Sequence, residues 1–369
     1  MGSPEDQAFG LLSEYANGFM VSQVLFAACD LGVFDLLAQA PEPLGAAAVA
    51  ARLGTSGHGT ELLLDACASL RLLAVETQAG QAAYANTALS AAYLVSASPT
   101  SQLDMLRYLG RTTYLCWAHL AEAVRQGRNQ YGQAFGVPSG DLFAAVYRSE
   151  GERLRFMRAL QDVWRVHGRR LMATFDLSTF PVICDLGGEY LPVARASRCQ
   201  APPRRPALSV PGCSGALARE CLSLYPGCQV TVFDLPEVVL AAKTHFSPPE
   251  GGPIGFLAGD FFKDPLPEAD LYILARVLHD WTDQACSQLL ARVHQACRAG
   301  GGVLVVESLL DSDGRGPLPT QLYSLNMLVQ TEGRERTPAQ YHALLAAAGF
   351  RDIQDGGTRG LYDAILARK

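Results

Sequence analysis

The residue best suited to proton transfer is His279, which stands four positions after the apolar run 270–275. A neutral imidazole titrates at about 6.5, so at physiological pH it can take a proton from a bound phenol whose pKa is about 10. Glu307 follows the next apolar run and Glu335 lies further along the chain, and either carboxylate could orient the ring. The pattern predicts a general base. The alternative is a core histidine whose hydrogen bonds are already satisfied.

Acidic residues and glycines also mark the first two apolar runs of the C-terminal half. Asp185 lies at the end of the first run, before Gly187 and Gly188, and Asp234 lies at the end of the second. Such glycines let the backbone approach a ligand at a helix N-terminus, and such a carboxylate accepts hydrogen bonds from ribose hydroxyls. Folds that bind nicotinamide dinucleotides or S-adenosylmethionine share both features. A nicotinamide-dependent oxidoreductase and a plain tight turn therefore stay open at this point.

A third cluster, formed by Gly259, Asp260 and Phe261, follows the expected third strand. Its carboxylate suits an exocyclic amine, and its aromatic ring suits the face of an adenine. The alternative is that Phe261 and Phe262 belong to the hydrophobic core. If the cluster is functional, an adenine-containing ligand lies at the same end of the sheet as His279.

The elements that must position these residues begin at about residue 179, where strands alternate with helices. Four apolar runs are separated by helical segments: 180–186, 229–235, 270–275 and 302–308. That alternation is typical of βαβ units and a parallel sheet. A helix from Thr337 to Ala348 and two last runs, 351–354 and 361–367, suit an antiparallel edge pair. The predicted fold class is α/β, a doubly wound and mostly parallel sheet with its ligand beyond the carboxyl ends of the strands.

One segment, 189–211, does not fit this alternation. It holds five prolines and four arginines without a period, between the first strand and the first helix of the α/β domain. Asp185 and Asp234 lie 49 residues apart, and removing the 23-residue segment leaves 26, close to the roughly 20 expected in a dinucleotide-binding unit. We interpret the segment as a Pro/Arg-rich insertion, either a disordered surface loop or an artefact of splicing or of the gene model.

The first 100 residues or so are predicted to form an all-α, winged-helix-like domain. Short helices broken at Gly32 and Pro41 lead to helices over 46–53 and 60–73, followed by a hairpin candidate over 74–86. Residues 44–90 carry a net charge of −1, whereas a DNA-binding surface needs a basic excess. A packing or dimerisation role is therefore preferred to DNA binding.

The predicted boundaries divide the chain into three parts. Residues 1–100 are the dimerisation domain, 101–178 are a helical linker that contributes to the active site, and 179–369 are the ligand-binding domain. The clearest linker helix spans 150–174, with apolar residues along one stripe.

Composition excludes several classes of protein. The chain has 30 basic and 36 acidic residues and a net charge of −6, which argues against a partner that is a nucleic acid. No run of about 18 apolar residues predicts a membrane span, and the acidic N-terminus is unlike a signal peptide. The ten cysteines show no repeated CxxC spacing, so buried thiols in a reducing compartment are expected. We predict a cytoplasmic protein without a metal ion.

Six motifs together carry a family resemblance: Asp-Leu-Gly-Gly (185–188), Val-Phe-Asp-Leu-Pro (232–236), Gly-Asp-Phe-Phe (259–262), Leu-His-Asp-Trp (278–281), Gly-Gly-Gly-Val-Leu-Val-Val-Glu (300–307) and Arg-Glu-Arg-Thr (334–337). The chain resembles the class I S-adenosylmethionine-dependent small-molecule O-methyltransferases of the caffeate/hydroxyindole type. The resemblance covers the chain outside 189–211. It implies a Rossmann-like methyltransferase domain, S-adenosylmethionine as co-substrate, a hydroxyindole acceptor and a homodimer formed through the N-terminal helical domain.

The resemblance also implies a role for each matching residue. His279 matches the general base, Glu307 and Glu335 match the acidic residues that flank it, and Asp280 matches a substrate contact. Asn326 and Gln330 match polar residues that hold the acyl-amide part of an acetylated indole-amine, the alternative being an amide pair on a solvated helix face. The residues implied for the methyl donor are Tyr147, Trp164, Asp185, Gly187, Gly188, Asp234, Gly259, Asp260, Phe261 and Arg276.

The glycine loop departs from the family pattern, because the insertion displaces its third glycine. An inactive dimeric pseudo-enzyme that keeps the fold is therefore a second alternative.

Overall fold

The computed structural model describes residues 3–78, 80–136, 149–187, 214–246, 254–331, 333–358 and 360–369. The chain divides into two compact units, Met1–Thr112 and Thr113–Lys369, where the sequence predicted three segments. The insertion 189–211 lies outside the described residues, and so do Tyr147 and Gly188.

The first unit begins with a single long helix rather than the predicted short ones. Helix α1 (Pro4–Leu31) starts at a Ser3 capping box and ends at Gly32, whose φ of +77° is favourable for glycine. Helix α2 (Val33–Gln39) follows directly. Among the described residues no single helix is long and apolar enough to span a bilayer; α1 and α2 together, which meet at a 52° bend, pass that test of length and composition.

The rest of the first unit has the predicted winged-helix order, with a small sheet that makes it mainly helical rather than all-α. Its elements are β1 (Leu44–Gly45), α3 (Ala46–Leu53), α4 (Gly57–Ser69), β2 (Leu73–Gln78), β3 (Gln81–Asn86), α5 (Ala88–Tyr93) and α6 (Leu103–Tyr108). The sheet is antiparallel in the order β1-β3-β2. Helix α4 was predicted to continue to residue 73, but Arg71 has a φ of +60° and starts the turn into β2.

Short helices and one long helix open the second unit. They are α7 (Tyr114–Trp117), α8 (Leu120–Gln126), α9 (Tyr131–Phe135) and α10 (Glu150–Met172). Glu150 and Glu152 lie in the first turn of α10, and Arg169 and Arg170 lie in its last turn. Both placements oppose the helix dipole and stabilise the helix.

A seven-stranded sheet forms the centre of the second unit. Its strands are β4 (Val182–Leu186), β5 (Gln229–Asp234), β6 (Ile254–Ala258), β7 (Ala269–Ala275), β8 (Cys297–Glu307), β9 (Arg351–Gly356) and β10 (Asp363–Arg368). The order is β6-β5-β4-β7-β8-β10-β9. The first five of these are mutually parallel, and β10 is antiparallel to both of its neighbours. The predicted mostly parallel sheet with an antiparallel edge pair is therefore confirmed.

The strand order predicts where a ligand binds to this sheet. The chain runs outward from β4 to β5 and β6, then returns to place β7 on the other side of β4. In such sheets ligands bind beyond the carboxyl ends of the strands at this reversal. Asp185, Asp234 and Glu307 all lie at or next to carboxyl ends of strands, and Arg276 follows the last residue of β7.

Helices pack against the sheet of the second unit. The described ones are α11 (Ala216–Leu224), α12 (Pro236–His245), α13 (Asp283–Ala296), α14 (Leu318–Gln330) and α15 (Pro338–Ala347). Helix α13 contributes Leu289, Leu290 and Val293 to the main hydrophobic cluster, which also includes Tyr272 and Val305 from the sheet.

We predict that Leu289→Ala destabilises the second unit by about 2–5 kcal/mol, because a fully buried leucine leaves a cavity when truncated. The matched control is Leu240→Ala on α12, where the leucine is 66% exposed and the expected change is about 0.5 kcal/mol or less. The midpoint of urea unfolding measures both. Equal shifts for the two variants would contradict this account of the core.

Candidate active site

His279 lies on a single 3₁₀ turn (Leu278–Asp280) just after β7 and is buried. Its ring Nδ1 is 3.2 Å from Oε1 of Glu335, and its Nε2 is 3.5 Å from Oδ2 of Asp280. Its backbone N–H donates to Oε1 of Glu307 at 3.2 Å. The structure therefore brings together the three residues that the sequence connected with proton transfer, and it adds Asp280, which was predicted to contact the substrate.

Arg276 joins the same group of side chains. Its Nη1 donates to Glu307 Oε2 at 2.9 Å and its Nη2 donates to Glu335 Oε1 at 2.7 Å. The same Nη2 lies 2.8 Å from Nδ1 of His279. The resemblance implied a donor contact for Arg276, but its guanidinium faces His279 and both glutamates. These five residues, Arg276, His279, Asp280, Glu307 and Glu335, are called the charge cluster below.

The backbone at Arg276 explains this orientation. Its φ of +57° is in the left-handed region, which is uncommon for a residue with a long side chain. The backbone N–H still donates to Val306 O at 2.9 Å, which extends the pairing of β7 with β8. The left-handed residue ends the strand and starts the turn that carries His279. Such backbone strain is concentrated at functional sites.

Burial and neighbouring charges shift the pKa values in the charge cluster in different directions. Burial and Arg276 both lower the pKa of His279, but the carboxylates around it outweigh them, and the net shift is upward. Burial alone would raise the pKa of Glu335, yet Arg276 and His279 lower it to about 2. The pKa values of Glu307 and Asp280 are raised, chiefly by burial. The ring is thus surrounded by groups that stabilise an imidazolium.

The charge cluster also has the composition of a metal site, because one ligand atom each from His279, Glu307 and Glu335 lie within 4.8 Å of one another. The guanidinium of Arg276 already donates to both carboxylates, however, and supplies the positive charge that a metal ion would bring. The expectation that no metal takes part stays a prediction.

The segment 333–337 packs against the 3₁₀ turn that carries His279 and donates hydrogen bonds to its backbone. Arg336 is fully buried and donates to the backbone oxygens of Leu278 at 2.9 Å and Trp281 at 2.7 Å. A Cβ atom on Gly333 would lie 1.9 Å from His279 O, so only glycine fits there. The sequence singled out this motif for Glu335 alone. The sequence contained no signal that Gly333 and Arg336 contact the backbone of the turn that carries His279.

The residues predicted to hold the methyl donor lie along the strand ends. Gly187 N donates to Phe233 O at 3.0 Å, and Gly259 N donates to Asp234 O at 2.8 Å. Asp234 is fully buried, and its Oδ1 accepts the backbone N–H of Leu235 at 2.7 Å. A Cβ atom on Gly259 would lie 2.4 Å from the ring of Phe233, so this position requires glycine.

Three further predicted donor contacts, Asp260, Trp164 and Phe261, are also buried. Asp260 accepts the backbone N–H of Phe262 at 2.9 Å and pairs with Lys263 at 3.1 Å. Trp164 on α10 is 3% exposed. Phe261 is fully buried, and its ring packs edge-to-face on Phe262 with centroids 4.7 Å apart. The expectation that the ring of Phe261 faces an adenine does not fit this placement, because core contacts surround it.

A chain of hydrogen bonds holds the two amides of α14. Trp117 Nε1 donates to Asn326 Oδ1 at 2.8 Å, and Tyr131 OH donates to Gln330 Oε1 at 2.9 Å. Gln330 Nε2 in turn donates to Thr113 Oγ1 at 3.4 Å. Gln330 is buried, so the alternative of a solvated amide pair is wrong. Sequence analysis missed Trp117 and Tyr131, because aromatic residues on short helices look like ordinary core.

Burial at the end of β4 raises the pKa of Asp185 to about 7. A raised folded-state pKa adds stability at low pH that is lost as the pH rises, here from about 4 to about 7. We predict that Asp185→Asn stabilises the protein, by about 2 kcal/mol more at pH 8 than at pH 5. Urea unfolding midpoints at both pH values measure this. The surface variant Asp104→Asn is the control, and a pH-independent gain in Asp185→Asn would contradict the assignment.

Comparisons with known proteins agree with this geometry. A family model described as the O-methyltransferase domain matches residues 117–202 and 205–351, and one described as the O-methyltransferase dimerisation domain matches residues 13–96. Acetylserotonin O-methyltransferase of Homo sapiens is 64% identical over 369 residues, and that of Gallus gallus is 53% identical over 370 residues. Each of these matches covers 100% of both proteins.

A solved structure gives the same result. The crystal structure of human N-acetylserotonin methyltransferase in complex with SAM superposes with a TM-score of 0.90 at 64% identity, covering 100% of this chain and 99% of that chain. The nicotinamide-dependent alternative is therefore wrong. The chain belongs to the S-adenosylmethionine-dependent O-methyltransferases that carry an N-terminal dimerisation domain.

Proposed function

We propose that the protein transfers the methyl group of S-adenosylmethionine to the phenolic hydroxyl of N-acetylserotonin, the methylation that yields melatonin. The observation that carries the reaction type is His279 in the charge cluster, where carboxylates contact the ring and favour its protonated form. The choice of acceptor is supported by the names of the similar proteins and by the amides held on α14.

His279 acts as the general base in this proposal. Its Nε2 takes the proton of the phenol, and the imidazolium that forms is stabilised by Glu335 at Nδ1 and by Asp280 at Nε2. The methyl group on the sulfonium of S-adenosylmethionine is then the electrophile for the phenolate oxygen. Since this displacement is in-line, the remaining contribution of the protein is to align the two substrates.

The strand ends fit the methyl donor. Asp234 stands where a carboxylate accepts hydrogen bonds from ribose hydroxyls, and Gly187 and Gly259 lie beside it at the ends of β4 and β6. Asp185 and Asp260 add carboxylates for the cationic amino group and the exocyclic amine of the donor. Tyr147, Gly188 and Trp164 complete the proposed set, with the first two outside the described residues.

Asn326 is proposed to bind the acetyl group of the acceptor. An indole N–H can only donate, so Trp117 fixes the carbonyl oxygen of Asn326 toward itself. The amide nitrogen then points the other way, and its two N–H groups suit the carbonyl oxygen of an N-acetyl group. Gln330 is engaged by Tyr131 and Thr113, which supports a role next to the acceptor. In this way the segment 101–178 contributes to the active site.

The remaining proposals concern assembly and location. Residues 13–96 match a dimerisation domain, which supports a homodimer. Large apolar side chains on α1 are exposed and suit such an interface: Phe9, Leu12, Tyr15, Phe19 and Met20. The eight cysteines among the described residues are buried free thiols, which supports the reducing cytoplasm as the compartment. Neither a nucleic acid nor a membrane is proposed as a partner.

We predict that His279→Gln lowers kcat for methylation of N-acetylserotonin by about 10²–10⁴-fold, because the general base is lost. The affinity for S-adenosylmethionine should change by less than about threefold, since the base removes a proton from the acceptor only. A radiolabelled-methyl assay measures the first effect, and isothermal titration measures the second.

The wild-type protein in the same assay decides between the enzyme and the pseudo-enzyme alternative. Methyl transfer by the wild type that persists unchanged in His279→Gln would refute the base assignment. Absence of both methyl transfer and donor binding in the wild type would instead favour the pseudo-enzyme.

We predict that Trp117→Phe raises KM for N-acetylserotonin by about tenfold while kcat changes less than threefold, because Asn326 Oδ1 loses one of its two donors and keeps only Gln330 Nε2. The ratio of kcat/KM for N-acetylserotonin to that for serotonin, which lacks the acetyl group, should fall. Leu115→Ala on the same helix is the control, since Leu115 is 44% exposed. An unchanged ratio would show that Asn326 does not contact the acetyl group.

A further inference from the structure

The ring Nδ1 of His279 lies between two groups of opposite hydrogen-bonding character. The guanidinium Nη2 of Arg276, 2.8 Å away, is a hydrogen-bond donor only. Oε1 of Glu335 is 3.2 Å away, and in the ionised carboxylate it is an acceptor only. Nδ1 of a neutral ring has either a lone pair or a hydrogen, so it can satisfy only one of them at a time. These two groups also contact each other, because Nη2 of Arg276 donates a hydrogen bond of 2.7 Å to Oε1 of Glu335.

The choice made at Nδ1 decides what Nε2 can do. When Nδ1 accepts from Arg276, the neutral ring has its hydrogen on Nε2, and Nε2 cannot accept a proton. When Nδ1–H donates to Glu335, Nε2 has a free lone pair and can take the proton of a phenol. After proton transfer both nitrogens have hydrogens, so the contact with Glu335 is kept and Arg276 no longer has an acceptor on the ring.

We propose that Arg276 is a positioning residue that sets the tautomer and the proton affinity of His279, in competition with Glu335. The inference deepens the proposed function, in which His279 is the general base. It differs from the donor contact that the family resemblance implied for this arginine. The side chain of Arg276 is 11% exposed and bonds to Glu307 as well as Glu335, so its position relative to the ring is fixed.

Charged side chains from three parts of the chain face the ring of His279. Asp280 lies on the same turn, Glu307 lies at the end of β8, and Glu335 lies in the segment before α15. Arg276 is the positive group among them, and the rings of Tyr323 and Tyr362 flank its guanidinium at 5.9 and 5.2 Å. Removing the arginine leaves three carboxylates around the ring. Removing Glu335 leaves the guanidinium and two carboxylates.

The test is a ¹⁵N NMR titration of the His279 ring in the full chain without substrates, with the resonance assigned by its loss in His279→Gln. Arg276→Gln should raise the pKa of His279 by about one unit and shift the neutral ring toward the Nδ1–H tautomer. Glu335→Gln should lower the pKa and favour the Nε2–H tautomer. Arg276→Lys keeps the charge and should leave the pKa within about 0.5 unit of the wild-type value.

Kinetics give a second readout in the active enzyme. The base must be neutral to accept a proton, so Arg276→Gln should move the acid limb of the kcat profile to higher pH. Its activity near neutral pH should fall about tenfold and recover above that limb, with KM for S-adenosylmethionine changed less than threefold. The matched control is Arg298→Gln, which removes an arginine whose partner is Asp270 at 3.5 Å and should leave the profile unchanged.

Distinct outcomes separate the two proposals. An unchanged pKa and tautomer in Arg276→Gln, with S-adenosylmethionine binding weakened tenfold or more, would overturn the inference and restore the donor-contact role. Failure of the wild type to methylate would overturn the proposed function, while the NMR titration still tests Arg276. If Arg276→Gln does not fold, the double variant Arg276→Gln/Glu335→Gln removes both competitors. The pKa of His279 in the double variant should then be higher than in Glu335→Gln, because the guanidinium that lowers it is gone. A pKa of His279 below the values of both the wild type and Glu335→Gln would overturn the proposal.

Discussion

The site depends on one buried balance of charge, in which the guanidinium of Arg276 lies between two carboxylates that are themselves withdrawn from water. Burying the charge of either glutamate without a partner would cost about several kcal/mol, and a carboxyl group in that situation takes up a proton instead. Arg276 lowers the pKa of Glu335 and keeps it ionised, and an ionised carboxylate accepts more strongly from the ring of His279 than a protonated one. The proposed role of His279 as a base therefore depends on the charges of its neighbours.

The fold brings these charged groups together from two strand ends and one connecting segment. Arg276 and His279 follow β7, Glu307 ends β8, and Glu335 reaches the same place 56 residues after the histidine. The parallel arrangement of β7 and β8 places their carboxyl ends side by side. Gly333 and Arg336 fix the position of the turn that carries His279. Gly333 lets the two backbone segments approach closely because it has no Cβ atom, and Arg336 donates hydrogen bonds to backbone oxygens of the turn.

Much of the fold was predictable because it follows local patterns. The strands after residue 179 are short apolar runs between helices, and their predicted ends differ from the observed ones by a few residues, except at the start of β8, which begins at Cys297 rather than near residue 302. The predicted helix break at Gly32 is where α1 ends, but the sequence pattern did not predict the full length of this helix, which starts at Pro4. His279, Glu307 and Glu335 were grouped correctly because two of them mark strand ends and the third belongs to a recognisable motif.

What sequence could not predict are contacts between distant positions. The direction of the Arg276 side chain depends on a left-handed backbone and on a partner 59 residues away, and neither has a local signature. Phe261 was assigned to an adenine because its motif follows the expected third strand, with the hydrophobic core as the alternative, and the structure buries its ring completely. Trp117 carries no sign that its partner is Asn326, 209 residues later.

The amide pair and the base are held by separate sets of contacts. Asn326 and Gln330 take their orientation from helices near residues 113–131, whereas His279 takes its own from the sheet and the segment 333–337. Under the proposed function, a change in Trp117 or Tyr131 alters which acceptor is bound without disturbing His279. Acceptor preference is then free to diverge during evolution, whereas His279 and the charged groups around it are under a tighter constraint.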